Sequence, residues 1–209
     1  MKNYRGIHAD TLDAAFVVAS ANSAVKEMRL LLEDGANLNG RDPLGQTAVH
    51  AAAGLGLTQS IRFLLEQGVD LNSRDNMDLT PLMSACSFGG VKGARAALML
   101  LEAGAQVGSV RESDQMTALK FAARSCPAQV VEALIQRGAA VDAPRGTEQT
   151  ALMLAARADN VEALKVLVAH DARLDLRCKL PWAEGRTAEG LAELEGRKKA
   201  LAYLRSLRK

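Results

Sequence analysis

With 209 residues, 48% of them hydrophobic but only 3% aromatic, the chain can bury a core, and that core must be built from Ala and Leu rather than from rings. A net charge of +2 is too small to announce a nucleic-acid or membrane binder. Three cysteines without CxxC spacing, Cys86, Cys126 and Cys178, supply neither a disulfide framework nor a thiolate metal site, and no apolar run approaches the roughly 18 residues that span a bilayer.

At the N-terminus Lys2 and Arg5 precede AAFVVASANSA, which imitates a signal peptide, but Asp10 and Asp13 interrupt the pattern and the apolar part is short. The expected localisation is cytoplasmic, or periplasmic or secreted if an export signal has been removed. AAFVVAS from Ala14 and VKEMRLLLEDG from Val25 read as two helices ending at Gly35. The next stretch, TAVHAAAGLGLTQSIRFLLEQGVDLN from Thr47 to Asn72, holds a small-residue run to Gly54. A second run with Ile61, Phe63, Leu64 and Leu65 at helical spacing follows, closed by Gly68. Two short helices joined so tightly lie antiparallel, and neither buries its apolar face without a neighbour.

The neighbours repeat the pattern. Glycines closing a Leu-rich run stand at Gly35, Gly68, Gly104 and Gly138, and opening threonines at Thr47, Thr80, Thr117, Thr150 and Thr187. The span from Thr80 to Gly104 is longer than the others, and GGVKGAR from Gly89 reads as a mobile insertion between its two helices. Asp171 takes the place of a closing Gly, and the stretch from there to Thr187 is longer than usual, carrying Pro181 and Trp182, the only Trp.

TAVHAA, TPLMSA, TALKFAA and TALMLAA in one frame, with the endings GANLN, GVDLN and GAAVD, resemble the ankyrin repeat, whose first helix opens on a T-P-L-H-x-A motif with a period of about 33 residues. The resemblance covers roughly Ala14 to Leu204. It implies an all-α repeat solenoid, an ankyrin-type helix-turn-helix stack with projecting β-turn fingers, forming a single domain over 1–209. The expected units are a cap at 1–40, repeats at 41–73, 74–109 (with the insertion), 110–143 and 144–176, and an extended finger with a C-terminal cap at 177–209. Ala14 stands where Thr is expected, and the last unit is polar, as capping units must be.

In such a stack fingers and first-helix ends line a concave face, and the residues there are free of framework duty. Those residues are Leu44, Leu55, Met77, Leu79, Phe88 and Met116, followed by Arg111, Arg124, Arg145 and Arg157, with Trp182 on the long finger. Exposed large apolar groups gathered on one side mark an interaction surface, and Trp is among the commonest hot-spot residues. The expected partner-binding residues are therefore Leu44, Leu55, Met77, Leu79, Phe88, Arg111, Met116, Arg124, Arg157 and Trp182, facing a partner with an apolar knob and a carboxylate-rich rim.

His50, fourth in TAVH, reads as a helix-start residue bonded to the neighbouring finger, and Cys86 as buried packing. No G-x-S-x-G, P-loop, dinucleotide glycine motif or H-E-x-x-H occurs. The expectation is a non-enzyme without cofactor or metal, a monomer when free, that binds a folded protein such as an enzyme or toxin. It would act as inhibitor, immunity protein or adaptor; nucleic acid and membrane are not expected partners. The Ala-for-Pro openings give it a bacterial look. The competing readings are a secreted, host-directed effector scaffold and nucleic-acid binding through the C-terminal half, where residues 105–209 carry 17 basic against 13 acidic residues.

Overall fold

A computed structural model of the chain describes residues 10–143, 149–183 and 185–207. By packing it falls into two compact units, the first running through Phe88 with Lys92–Gln106 added, the second made of Gly89–Val91 and the chain from Val107 on. The first holds the helices α1 (Leu12–Ala21), α2 (Val25–Glu33), α3 (Ala48–Gly54), α4 (Thr58–Glu66) and α5 (Pro81–Phe88), and all but the first residues of α6 (Gly90–Glu102). The second holds the strands β1 (Val110–Arg111) and β2 (Met116–Thr117) and the helices α7 (Ala118–Ser125), α8 (Ala128–Gln136), α9 (Ala151–Arg157), α10 (Val161–Ala169), α11 (Ala188–Leu194) and α12 (Lys198–Ser206). The architecture is an all-α repeat solenoid of helix pairs.

The recurring residues have local causes. Four of the five opening Thr residues are N-caps whose hydroxyl accepts a backbone N–H three residues on, Met83 for Thr80, Lys120 for Thr117, Met153 for Thr150 and Gly190 for Thr187, at 3.2–3.4 Å, while the Thr47 hydroxyl meets His50 Nδ1 at 2.8 Å. In the first pair Thr11 does this, accepting from Ala14 N at 3.1 Å, so the cap that Ala14 seemed to lack lies three residues earlier and α1 is longer by about a turn. At each closing position the backbone turns left-handed, and the next residue's N–H bonds back to a Leu carbonyl: Ala36 to Leu31, Val69 to Leu64, Ala105 to Leu100 and Ala139 to Leu134. Asp171 adopts the same turn with φ 59°, and Ala172 bonds to Leu167, so a short polar residue serves where Gly is usual.

The Asn or Asp that ends each closing motif stitches one pair to the next. The Asn39 side-chain oxygen accepts the Asp70 N–H and that of Asn72 accepts the Gln106 N–H, both at 2.9 Å, and the Asp142 carboxylate accepts the Arg173 N–H at 3.3 Å. Within the first unit α3 packs on α1 and α5, and within the second α9 packs on α7 and α11, so first helices form one layer and second helices the other. Ala48, Ala52, Ala53, Ala122, Ala123, Ala155 and Ala156 are buried between them; side chains of this size let helix axes approach closely.

The GGVKGAR stretch is not a mobile loop. Its residues from Gly90 on are the first turns of α6, which is separated from the end of α5 by Gly89 alone. Gly93 faces α5 so closely that a Cβ there would lie 2.6 Å from the Ala85 carbonyl oxygen, so glycine is present for close packing rather than for flexibility.

Candidate interaction surface

In the first unit the two described fingers share one design. Asp42 sits at the base, its Oδ1 accepting the N–H groups of Leu44 and Gln46, and Asp75 repeats this for Met77 and Leu79, at 2.8–2.9 Å. The αL residue of each turn is Gly45 (φ 71°) and Asp78 (φ 59°). The residue before it, Leu44 in one finger and Met77 in the next, is thereby forced to the tip. The fingers lock side by side, with Asn76 N donating to the Leu44 carbonyl at 3.1 Å and Asn76 Nδ2 to that of Pro43 at 3.2 Å. The contact is close enough that a Cβ on Gly45 would meet Asn76 Oδ1 at 2.2 Å.

His50 fastens this layer to the helices beneath. Its Nδ1 accepts the Thr47 N–H, so the proton is on Nε2, which donates to the Leu79 carbonyl at 3.0 Å. Burial pushes its pKa below the ordinary histidine value, and the charge of Arg41 pushes the same way, against the Leu79 bond and the Asp75 charge. On this scaffold Leu44 is 63% and Met77 64% exposed, while Phe88 and Leu55, at the ends of α5 and α3, are 48% and 44% exposed. Leu79 is half-buried. These apolar side chains are fixed by hydrogen-bonded backbone and left facing water.

The second unit is built differently. Two guanidinium groups, Arg111 from β1 and Arg124 from the end of α7, lie over the buried Phe121 ring at 5.3 and 5.7 Å. Arg111 is paired with Asp114, whose carboxyl is held below its usual pKa by that hydrogen bond. At the end of α9, Arg157 donates to Gln149 Oε1 at 2.7 Å and pairs with Glu195, and its guanidinium stacks at 4.6 Å on Trp182. Trp182 sits on a 3-10 turn, Pro181–Ala183, at the tip of the long finger, whose base closes through the Cys178 N–H to the Arg186 carbonyl at 2.9 Å. Despite the stack, Trp182 is 46% exposed. Among the described residues no cluster of His, Cys, Asp and Glu could hold a metal ion, and no helix is long and apolar enough to cross a membrane.

Comparison with known families and structures agrees with this geometry. Family models for ankyrin repeats match residues 14–111, as three copies, and residues 147–179, together more than half of the chain. The chain belongs to the ankyrin-repeat family. No curated protein matches it in sequence. Among solved structures 501 chains match, so likeness of fold alone does not select a function for this ankyrin protein. One match is a chain in the complex of the predatory endopeptidase Bd0816 from Bdellovibrio bacteriovorus with the immunity protein Bd3460. It shares 22% identity, with a TM-score of 0.78 over 91% of this chain and 96% of that one.

Several expectations for the ankyrin surface need correction. Met116 does not face solvent: it is 9% exposed, because it lies in β2 opposite Arg111, next to the capping Thr117, where the extended backbone turns the side chain inward. Asp114, the residue before the αL position of that finger, holds the place that Leu44 and Met77 hold in theirs. Arg111 and Arg157 are not bare cations, each being tied to a carboxylate and a ring. Arg145 lies outside the described residues. Leu194, 48% exposed, was missed although it stands as far past Thr187 as Arg124 stands past Thr117. Phe121 was missed too: nothing in TALKFAA distinguishes a ring that carries two guanidiniums from one that fills the core.

Proposed function

We propose that this ankyrin-repeat chain is a non-catalytic binding module for a folded protein, and that it acts as an immunity-type inhibitor of a hydrolase. The observation carrying the binding reading is the set Leu44, Leu55, Met77 and Phe88: four large apolar side chains left exposed in one unit, on hydrogen-bonded fingers and helix ends. Apolar groups gathered this way mark an interaction site, and preorganisation lowers the entropy lost on binding. The partner class is suggested by the fold likeness to a chain of an endopeptidase and immunity protein complex.

The test is capture of partners from the source cells with the tagged chain and with the Leu44→Ser, Met77→Ser, Phe88→Ser variant, followed by an activity assay on the captured protein. A hydrolase retained by the wild type, lost by the variant and silenced at one-to-one stoichiometry is the expected result. A partner that keeps full activity when bound removes the inhibitor reading. Capture that is indifferent to the triple substitution removes the binding site.

A further inference from the structure

The two guanidiniums on Phe121 are treated unequally. Arg111 has Asp114; Arg124 is exposed, contacts the Ser125 hydroxyl at 3.4 Å, and pairs with no carboxylate among the described residues. The buried Phe121 ring lies 5.7 Å from its guanidinium carbon, a contact that favours this placement of the side chain before any ligand arrives. Arg124 and Arg157 stand at the same distance past their capping threonines on packed neighbours, α7 and α9, which separates them by about one helix spacing, ~10 Å. Leu194 takes the same place on α11, and Trp182 lies against Arg157. Among the described residues of this row, Arg124 is thus a cation without a carboxylate, one helix spacing from the exposed Trp182 on Arg157, with the exposed Leu194 a further spacing along.

We propose that Arg124 is the anion-reading residue of this face, taking the carboxylate of an Asp or Glu side chain that its protein partner presents one helix spacing from an apolar residue seated on Trp182. The proposal rests on the protein-binding reading above, and it names the partner's chemistry. A carboxylate is favoured over a phosphate group because the neighbouring guanidiniums are already matched to carboxylates. Among the described residues Arg124 alone of the three guanidiniums is without a carboxylate, and one such cation balances a monoanion and leaves a dianion half compensated.

The probe is a phage-displayed library of random twelve-residue peptides, panned in parallel on the full chain and on Arg124→Gln. Calorimetry then follows on the enriched peptides and on their counterparts with Asp→Asn or Glu→Gln. Wild type should enrich peptides with an acidic residue about three positions from an aromatic or aliphatic one, the number of extended residues that spans ~10 Å. Either Arg124→Gln or neutralising the peptide should weaken binding about tenfold or more, and the two changes together should do no more than one. Arg124→Lys, which keeps the charge and the fold but not the fork, should fall between.

Enrichment without acidic bias, affinity unchanged in Arg124→Gln, or no peptide that wild type retains and Arg124→Gln loses would each overturn the proposal. So would a phosphoserine peptide binding more than tenfold tighter than its Glu counterpart. The Leu44→Ser, Met77→Ser, Phe88→Ser variant should bind the peptides normally. If it does and the wild-type chain captures no hydrolase from cells, the inhibitor reading fails while this site stands.

Discussion

Acidification should loosen the first unit through His50, and the structure sets the size of the effect. The imidazole is 1% exposed, accepts the Thr47 N–H at Nδ1 and donates from Nε2 to Leu79, so both nitrogens are committed in the neutral form. A second proton must go to Nδ1, where it abolishes the acceptance that completes the capping box and places a charge in a buried site. The folded-state pKa therefore lies below the unfolded value of 6.5, and the unfolded chain takes the proton first. Its contribution to stability is full above pH 6.5 and is lost as pH falls from there toward the folded-state pKa, at no more than about 1.4 kcal/mol per pH unit for one proton. Urea unfolding at pH 7.5 and 5.5 measures this, in a His8→Gln, His170→Gln background that leaves His50 as the sole histidine. That background should lose up to about 1.4 kcal/mol between the two values, and adding His50→Gln should flatten the dependence. Equal pH dependence with and without His50 would refute the buried, neutral assignment.

Met77→Ala and Met116→Ala should separate binding from stability: the exposed Met77 changes unfolding free energy by no more than about 0.5 kcal/mol, whereas the buried Met116 lowers it by about 2 kcal/mol. Denaturant titration of both decides which methionine belongs to the surface. Gly93→Ala, which helix propensity alone would make stabilising by about 1 kcal/mol, should instead destabilise, because its Cβ would stand 2.6 Å from the Ala85 carbonyl and force α5 and α6 apart. A raised unfolding midpoint would contradict that packing. Asp75→Ala orphans the Met77 and Leu79 N–H groups and should lower stability by about 2–3 kcal/mol, with faster amide exchange confined first to that finger.

The frame was legible because its residues act locally. A capping Thr, an αL Gly and an Asn that accepts the next loop's N–H are each short-range requirements, so they recur in the sequence wherever the geometry recurs. Leu44, Leu55, Met77 and Phe88 could be assigned to solvent for the same reason, since the repeat register fixes which positions are free. Where the register was insufficient, a contact between elements decided. Met116 turns inward through pairing with β1, and Arg157 is matched to Glu195, 38 residues away. Gly93 marks a close approach that composition reads as looseness. No periodicity encodes such pairings.

The claim that the finger tips and first-helix ends of the first unit meet a protein partner is tested most directly by hydrogen exchange of the chain alone and in its complex. Protection should appear at residues 42–46 and 75–79 and at the ends of α3 and α5 around Leu55 and Phe88, with α2 and α4 unchanged. Protection confined to α2 and α4, with both fingers exchanging as in the free chain, would contradict it.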